Sequence, residues 1–168
     1  MNLLIWLNSL TALSFNVSRI PSTDYPPQYL NSVTSAYDKT NNQLIIFGGY
    51  NSETDEFFSE LYTFSLKELY WDEITPESDY IPPGLAKSNM VIYSNTIYIF
   101  YGKKKGGISG DIYSFSLDSL VWRLENLQGE KISGRVDSAF ATFEYNNTVY
   151  AAMFGGLTHS EVSNELIL

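Results

Sequence analysis

The chain has 168 residues, of which 44% are apolar and 15% aromatic, while only 17% are charged. This composition excludes a disordered segment, which would be poor in aromatic residues and rich in charge. The many tyrosines and phenylalanines favour strands over helices. The net charge of −9 repels phosphate backbones, so we expect no nucleic-acid partner. The absence of cysteine excludes disulfides and thiolate metal sites.

The first fifteen residues contain an apolar stretch that has two interpretations. It could be the core of a secretory signal, although no Lys or Arg precedes it, and it is too short to span a bilayer. Alternatively, residues 10–15 match residues 66–71 in spacing, with Phe15 in the position of Trp71. We favour the interpretation that residues 1–20 form the outer strands of a preceding unit. Because this interpretation leaves no secretory signal, we also favour a cytoplasmic location. A cleaved signal would instead make the protein secreted.

An internal repeat of about 50 residues runs through the rest of the chain. Residues 60–71 and 111–122 match position by position, 51 residues apart. A second landmark recurs at intervals of 53 and 54 residues, as Phe47-Gly48-Gly49, Phe100-Tyr101-Gly102 and Phe154-Gly155-Gly156. These landmarks divide the chain into units 21–79, 80–130 and a truncated 131–168. Several landmarks in one register predict a repeat architecture.

Each unit is predicted to hold four antiparallel strands. First strands, each ending in a tight polar turn, are predicted at 32–37, 88–93 and 138–145. Apolar second strands, each ended by the glycine pair, are predicted at 44–47, 97–100 and 149–154. Alternating third strands are predicted at 61–66 and 112–117, and Trp71 or Trp122 lies in a short fourth strand. Such a unit describes one blade of a β-propeller.

The repeat landmarks resemble those of the kelch family. They are the glycine pairs Gly48-Gly49 and Gly155-Gly156, Gly102 in the middle unit, and Phe64 and Phe115, each seven residues before Trp71 and Trp122. We therefore predict an all-β fold, an incomplete kelch-type propeller of about three units. A closed propeller needs about 4 to 8 blades. We expect an open arc with exposed strand edges and blade faces, and self-association through them.

The motifs of catalytic and metal sites are absent from this sequence. It holds one histidine, His159, and no HExxH or GxSxG motif. We therefore predict no enzyme activity, no cofactor and no metal site. The loop 103–110 has its lysines before its glycines, the reverse of a phosphate-binding loop. It is either a flexible connection or a small basic patch that meets an acidic partner segment.

The face that carries the longer loops is the predicted binding surface, because recognition concentrates on loops held by a rigid scaffold. In the loop 50–59, Phe57 and Phe58 either pack under the blade or stand exposed as aromatic anchors. The candidate partner-binding residues are Tyr50, Phe57, Phe58, Lys103, Lys104, Lys105 and His159. The kelch resemblance implies a module that holds a protein or peptide on this face. The alternatives are a secreted glycan- or matrix-binding propeller, or a fragment of a propeller enzyme.

Overall fold

A computed structural model describes residues 20, 27, 30–130 and 132–168 of the chain. Within these residues the chain forms thirteen β-strands and no helix, so none of them forms a helix that could cross a membrane. The strands are arranged in two four-stranded sheets, one three-stranded sheet and a two-stranded hairpin. The prediction of an all-β chain built from four-stranded antiparallel blades is confirmed. The predicted outer strands within residues 1–20 lie outside the described residues, apart from Ile20.

The first sheet is a complete four-stranded antiparallel meander. Its strands follow the chain order and are β1 (Thr34–Asp38), β2 (Gln43–Asn51), β3 (Glu56–Ser65) and β4 (Trp71–Ile74). The shortest strand, β4, pairs with β3 only from Leu61 to Phe64. The first five residues of β3, Glu56–Glu60, therefore extend past the end of β4.

The second sheet repeats this meander and adds a small hairpin between its second and third strands. The sheet contains β5 (Asn89–Tyr93), β6 (Thr96–Phe100), β9 (Ile112–Ser116) and β10 (Val121–Leu124). The hairpin consists of β7 (Lys103–Lys104) and β8 (Gly107–Ile108). The repeat in sequence is therefore a repeat in topology.

The third sheet contains three strands, β11 (Ala139–Tyr145), β12 (Thr148–Phe154) and β13 (Leu166–Ile167). Its first turn, Asn146-Asn147, has φ angles of 50° and 59°, and the Ser94-Asn95 turn of the second sheet has 47° and 59°. Two successive left-handed residues form the tight hairpin turn that matches the twist of antiparallel strands. Asparagine tolerates this conformation better than branched residues do, which explains its recurrence here.

The expectation that the glycine pair ends the second strand is wrong for the first unit. There β2 continues through Gly48 and Gly49 to Asn51, and its pairing with β3 shifts register between Phe47 and Gly49. Gly48 has a φ of 65°, as a residue in a β-bulge commonly has. A Cβ atom at Gly48 would also overlap the carbonyl oxygen of Leu85 in the next unit. The glycine thus permits a bulge and a close backbone approach, and the strand runs on.

The connections expected as irregular loops are largely hairpins in the structure. Most of the segment 50–59 belongs to β2 and β3, which enclose a short turn. The segment 103–110, expected as a flexible connection or a basic patch, holds the β7–β8 hairpin. Backbone hydrogen bonds between Lys103 and Ala86, of 2.7 and 2.8 Å, tie this hairpin to the start of its own unit. Both segments are therefore held by backbone pairing.

The main core lies between the first and second sheets, where apolar side chains from both sheets interdigitate. Its buried members are Ile45, Phe47, Leu61, Leu85, Met90, Ile97, Ile99, Tyr113, Phe115 and Trp122. Trp122 is 2% exposed, and its ring centroid lies 4.9 Å from Phe115 and 5.4 Å from Phe47 of the preceding unit. The tryptophan of one unit thus closes the interface with the unit before it.

A smaller core joins the second and third sheets. Tyr101, Ile112 and Met153 are buried there, and the rings of Phe100 and Phe140 lie 5.3 Å apart. Phe100 occupies the repeat position of Phe47, so the same face of each sheet meets the next unit. The sheets therefore pack face to face, as blades do.

Candidate partner-binding site

One end of the described sheets gathers the hairpins between second and third strands together with the connections between units. We call this end the loop face. In an antiparallel meander, alternate connections emerge at opposite ends of the sheet, so these segments share one end. The short turns between first and second strands, and between third and fourth strands, lie at the other end. The loop face therefore carries the longer connections, as the sequence predicts.

A groove of about 400 Å³ opens on the loop face between the first and second units. It is lined by Asp55, Glu56, Phe57, Phe58, Glu60, Pro83, Gly84, Lys104 and Lys105. Four of the seven candidate binding residues therefore line one groove, namely Phe57, Phe58, Lys104 and Lys105. Tyr50, Lys103 and His159 do not line it.

One wall of the groove is acidic and is held by aromatic and polar contacts. The hydroxyl of Tyr50 donates to Oδ1 of Asp55 at 2.8 Å, and its ring centroid lies 4.7 Å from that of Phe57. The hydrogen bond to the Asp55 carboxylate raises the pKa of Tyr50, and burial and the Asp55 charge act in the same direction. Oγ1 of Thr54 donates to Oε2 of Glu56 at 2.8 Å. Tyr50 thus fixes the position of Asp55 in the acidic wall.

The other wall is basic and is supplied by the β7–β8 hairpin of the second unit. Nζ of Lys104 lies 3.6 Å from Oδ2 of Asp111, and the Lys104 side chain is about one-third exposed. Lys105, in the turn itself, is exposed. An exposed ion pair of this length contributes little to stability, so Lys104 can turn toward another carboxylate at small cost.

The floor of the groove is aromatic and close-packed. Phe57 and Phe58 are both half-buried. Their exposure is therefore intermediate between the packed and the exposed side chain that the sequence left open. The Leu85 amide donates to the Phe58 carbonyl at 2.9 Å. A Cβ atom on Gly84 would overlap the Phe57 carbonyl oxygen. Sequence reasoning missed Gly84, although Gly134 stands 50 residues later and lies equally close to the Ser109 carbonyl.

His159 lies on the neighbouring connection of the third unit. Its Nε2–H donates to the Ile108 carbonyl at 2.8 Å, and its ring packs over Gly107, where a Cβ atom would lie 2.8 Å from Cε1. The imidazole therefore bridges the hairpin of the second unit and the connection of the third. His159 is part of the loop face, but it contacts β8 and does not line the groove.

Three equivalent residues at the entry to the first strands were also missed from the sequence. Ser32, Lys87 and Asp137 have φ angles of 57°, 57° and 54°. The Lys87 amide donates to the Ser32 carbonyl at 2.9 Å, and Nζ of Lys87 lies 2.7 Å from Oδ2 of Asp137. These contacts link three successive units in a row on the loop face. Their spacing of 55 and 50 residues is the only signal in the sequence.

The described part of the chain holds no group of side chains that could bind a metal ion. Across residues 30–130 and 132–168, no three His, Asp or Glu side chains converge in a group that could hold a metal ion. What the geometry of the loop face provides is a groove with charged walls and an aromatic floor, on a scaffold of packed sheets.

The comparisons with known proteins agree with this architecture. The sequence profile of the KLHDC2/KLHL20/DRC7 Kelch-repeats domain matches residues 2–168. The chain belongs to the kelch-repeat family. The resemblance drawn from the glycine pairs and the tryptophans is thereby confirmed, and the sheets described above are kelch blades.

The curated relatives of the chain include two whose names state a kelch domain or kelch repeats and one whose name does not. Kelch domain-containing protein 10 of Homo sapiens is 27% identical over 157 residues, which is 84% of this chain and 33% of that protein. Kelch repeat-containing protein 2 of Saccharomyces cerevisiae is 32% identical over 85 residues, 48% of this chain and 9% of that protein. Tip elongation aberrant protein 3 of Schizosaccharomyces pombe is 27% identical over 143 residues, 82% of this chain and 12% of that protein. The chain thus spans a third or less of these relatives' lengths.

Proposed function

We propose that this kelch chain is a non-catalytic interaction module that holds a partner protein or peptide on its loop face. The observation that supports the proposal is the groove between the first two units, with Asp55, Glu56 and Glu60 opposite Lys104 and Lys105. Charged groups placed around an aromatic floor provide specificity and apolar contact area together. Kelch repeats are typically protein-interaction modules, which favours the same assignment.

The residues of the whole sequence argue against catalysis as the alternative. The chain holds a single histidine and no cysteine, so the commonest general base is scarce and the commonest thiol nucleophile is missing. The one histidine donates its Nε2–H to a backbone carbonyl in a loop contact.

The experiment that tests the proposal compares partners recovered by variants of the full-length protein. The loop-face variant carries Lys103→Ala, Lys104→Ala and Lys105→Ala, and the control carries Lys67→Ala and Glu68→Ala at the opposite end of the first sheet. We expect the loop-face variant to lose at least one partner that wild type and control retain, measured by quantitative mass spectrometry after affinity purification. Each lost partner is then tested as a purified protein for direct binding.

Partner recovery that is equal for all three proteins would show that the loop face is not the binding surface. Thermal melts of the variants accompany the experiment, because a lost partner counts only if the variant is folded. The substituted lysines are surface residues, so we expect melting temperatures within a few degrees of wild type.

A further inference from the structure

The groove on the loop face borders a strand segment with an unusual environment. β3 pairs with β4 only from Leu61 to Phe64, so Glu56–Glu60 has no strand beside it on the β4 side within the described residues. An uncovered strand edge is a template for pairing with another extended chain. Native proteins commonly protect such an edge. The group that bonds to the edge indicates which group of a partner could take its place.

Here a side chain protects the edge. The Ser59 amide donates to Oε2 of Glu60 at 2.9 Å, within the same strand. A backbone carbonyl of an incoming peptide can accept the hydrogen bond from the Ser59 amide in place of Glu60. The Glu60 carboxylate is then free to pair with a basic group. The segment also bonds with a stretch of the next unit, since the Leu85 amide donates to the Phe58 carbonyl at 2.9 Å. Residues 56–60 therefore already make backbone contacts outside their own sheet.

The charges beside this edge define what an incoming peptide must carry. Asp55, Glu56 and Glu60 line the groove from the first unit, and Lys104 and Lys105 line it from the second. Successive side chains of an extended peptide point in opposite directions, at about 3.3 Å per residue. In a peptide that lies between the two walls, a basic side chain can point toward the acidic residues while an acidic side chain points toward the lysines. This requires the basic and the acidic residue of the peptide to be separated by an odd number of positions.

We propose that the groove binds an extended peptide segment that lies along Glu56–Glu60 and carries a basic and an acidic residue at an odd separation. This inference rests on the proposed function and names the partner chemistry of the same site. The peptide adds a strand to the first blade, so its backbone supplies affinity and its two charges supply specificity. The half-buried Phe57 and Phe58 give apolar contact to the residues between the charges.

The test selects peptides from a random twelve-residue phage-display library on the full-length protein. We expect enrichment of peptides with Lys or Arg at an odd separation from Asp or Glu. A peptide from this pool is then measured against Lys104→Glu/Lys105→Glu, and we expect its affinity to fall by about tenfold or more. The matched control, Lys39→Glu/Lys67→Glu, makes the same change in net charge at the opposite end of the sheet and should bind normally.

Two further measurements separate strand addition from simple charge attraction. A peptide whose acidic residue is replaced by Lys should bind the Lys104→Glu/Lys105→Glu variant better than wild type, which an unfolded variant could not do. N-methylation of alternate peptide amides should weaken binding, because a methylated amide cannot donate to the strand edge.

Three outcomes would overturn the inference: no enriched peptide, enriched peptides without the charge pattern, or equal binding by the two charge-reversed variants. If natural partners are still lost from the loop-face variant in those cases, the proposed function stands and only the peptide mode is wrong. If natural partners are unaffected as well, both proposals fail.

Discussion

At the scale of single residues, the three repeat landmarks show how one backbone conformation tolerates different side chains. Gly48 and Gly155 have φ angles of 65° and 69°, and Tyr101 occupies the same position with a φ of 56°. A non-glycine residue in this region costs about 1–3 kcal/mol. The buried Tyr101 ring, packed with Ile112 and Met153, offsets that cost through apolar contact. Burial also raises the pKa of Tyr101, although the nearby Arg135 charge opposes the effect.

The close approach at Gly84 leads to a first prediction. Replacing Gly84 with Ala places a methyl group on the Phe57 carbonyl, so we expect the free energy of unfolding to fall by about 1–3 kcal/mol. Gly110→Ala is the matched control, because its nearest atom would lie 3.8 Å away and neither glycine has a positive φ. Urea denaturation followed by circular dichroism measures both. Equal stabilities would show that the units do not touch at Gly84.

A second prediction concerns Asp38, which is buried at the turn between β1 and β2. Its carboxylate accepts hydrogen bonds from the Thr40 amide at 2.9 Å, from Nδ2 of Asn41 at 2.8 Å and from Nε2 of Gln43 at 3.0 Å. Burial by itself would raise the pKa of Asp38, but the hydrogen bonds from Asn41, Gln43 and Thr40 outweigh it and hold the pKa below its usual value.

The sign of the resulting pH dependence follows from linkage. A depressed pKa in the folded state stabilises the protein above the unfolded pKa of about 4, and this contribution is lost as the pH falls through the folded value. We expect Asp38→Asn to remove that part of the acid dependence and to lower stability at neutral pH. Asp72→Asn, on exposed β4, should leave the curve unchanged. The measurement is urea denaturation at a series of pH values from about 2 to about 7.

At the scale of elements, Arg135 organises the connection between β12 and β13. Its side chain is 0% exposed and donates to the Gly155 carbonyl at 3.1 Å, to Oγ of Ser163 at 3.3 Å and to Oε2 of Glu165 at 3.0 Å. The hydrogen bond from Arg135 lowers the pKa of Glu165, helped by a bond from Ser163. One side chain therefore fixes both ends of this connection.

Removing this side chain should loosen the connection. We expect Arg135→Ala to lower the free energy of unfolding by about 1–3 kcal/mol, because it leaves the Gly155 carbonyl without its partner. Amide hydrogen exchange should rise across residues 155–165 and change little in β1–β4. Glu165→Gln is the control, since Glu165 is exposed and its loss spares the bond to Gly155. Unchanged exchange in Arg135→Ala would contradict the assigned role.

The elements also show which features the sequence could predict. Trp71, Trp122 and the glycine pairs keep one register, so their period alone predicted the blades and most strand positions. The extension of β2 to Asn51 was not predictable, because it depends on a bulge at Gly48 and on Leu85, 37 residues away. Likewise, nothing local in Lys103–Ile108 distinguishes a hairpin from a loop.

The candidate site was predicted only as a surface. The long connections placed Phe57, Phe58 and the lysines on one face, but their meeting in a single groove depends on how two units pack. The meeting of the acidic residues Asp55, Glu56 and Glu60 with Lys104 and Lys105 appears only in three dimensions. Gly84 was missed because its role is a contact with Phe57, which leaves no trace in its own neighbourhood.

At the scale of the whole molecule, the third sheet exposes the face that its neighbours bury. Phe154 is 53% exposed, whereas Phe47 in the equivalent position of the first unit is 1% exposed. Other large apolar side chains share this open face, namely Phe143, Tyr145 and Leu166. A contiguous apolar surface of this kind promotes association.

We therefore expect residues 1–168, expressed alone, to associate. Sedimentation velocity should show species heavier than the 19.0 kDa monomer, in proportions that rise with concentration. Phe154→Asp with Leu166→Asp should shift the population toward the monomer. The control, Tyr70→Asp with Ile81→Asp, adds the same charge at exposed apolar residues of other elements. A monomeric wild-type chain would show that the open face does not drive association.

The packing of Trp122 on Phe47 affects how such a chain can gain or lose units during evolution. In the second unit, Trp122 packs on Phe47 of the unit before it and Phe100 packs on Phe140 of the unit after it, so this unit carries a contact surface for each neighbour. Duplicating or deleting a whole unit therefore joins surfaces that already fit. Interactions between repeats are confined to nearest neighbours. The number of blades can thus vary among descendants of one ancestral gene without the invention of a new interface.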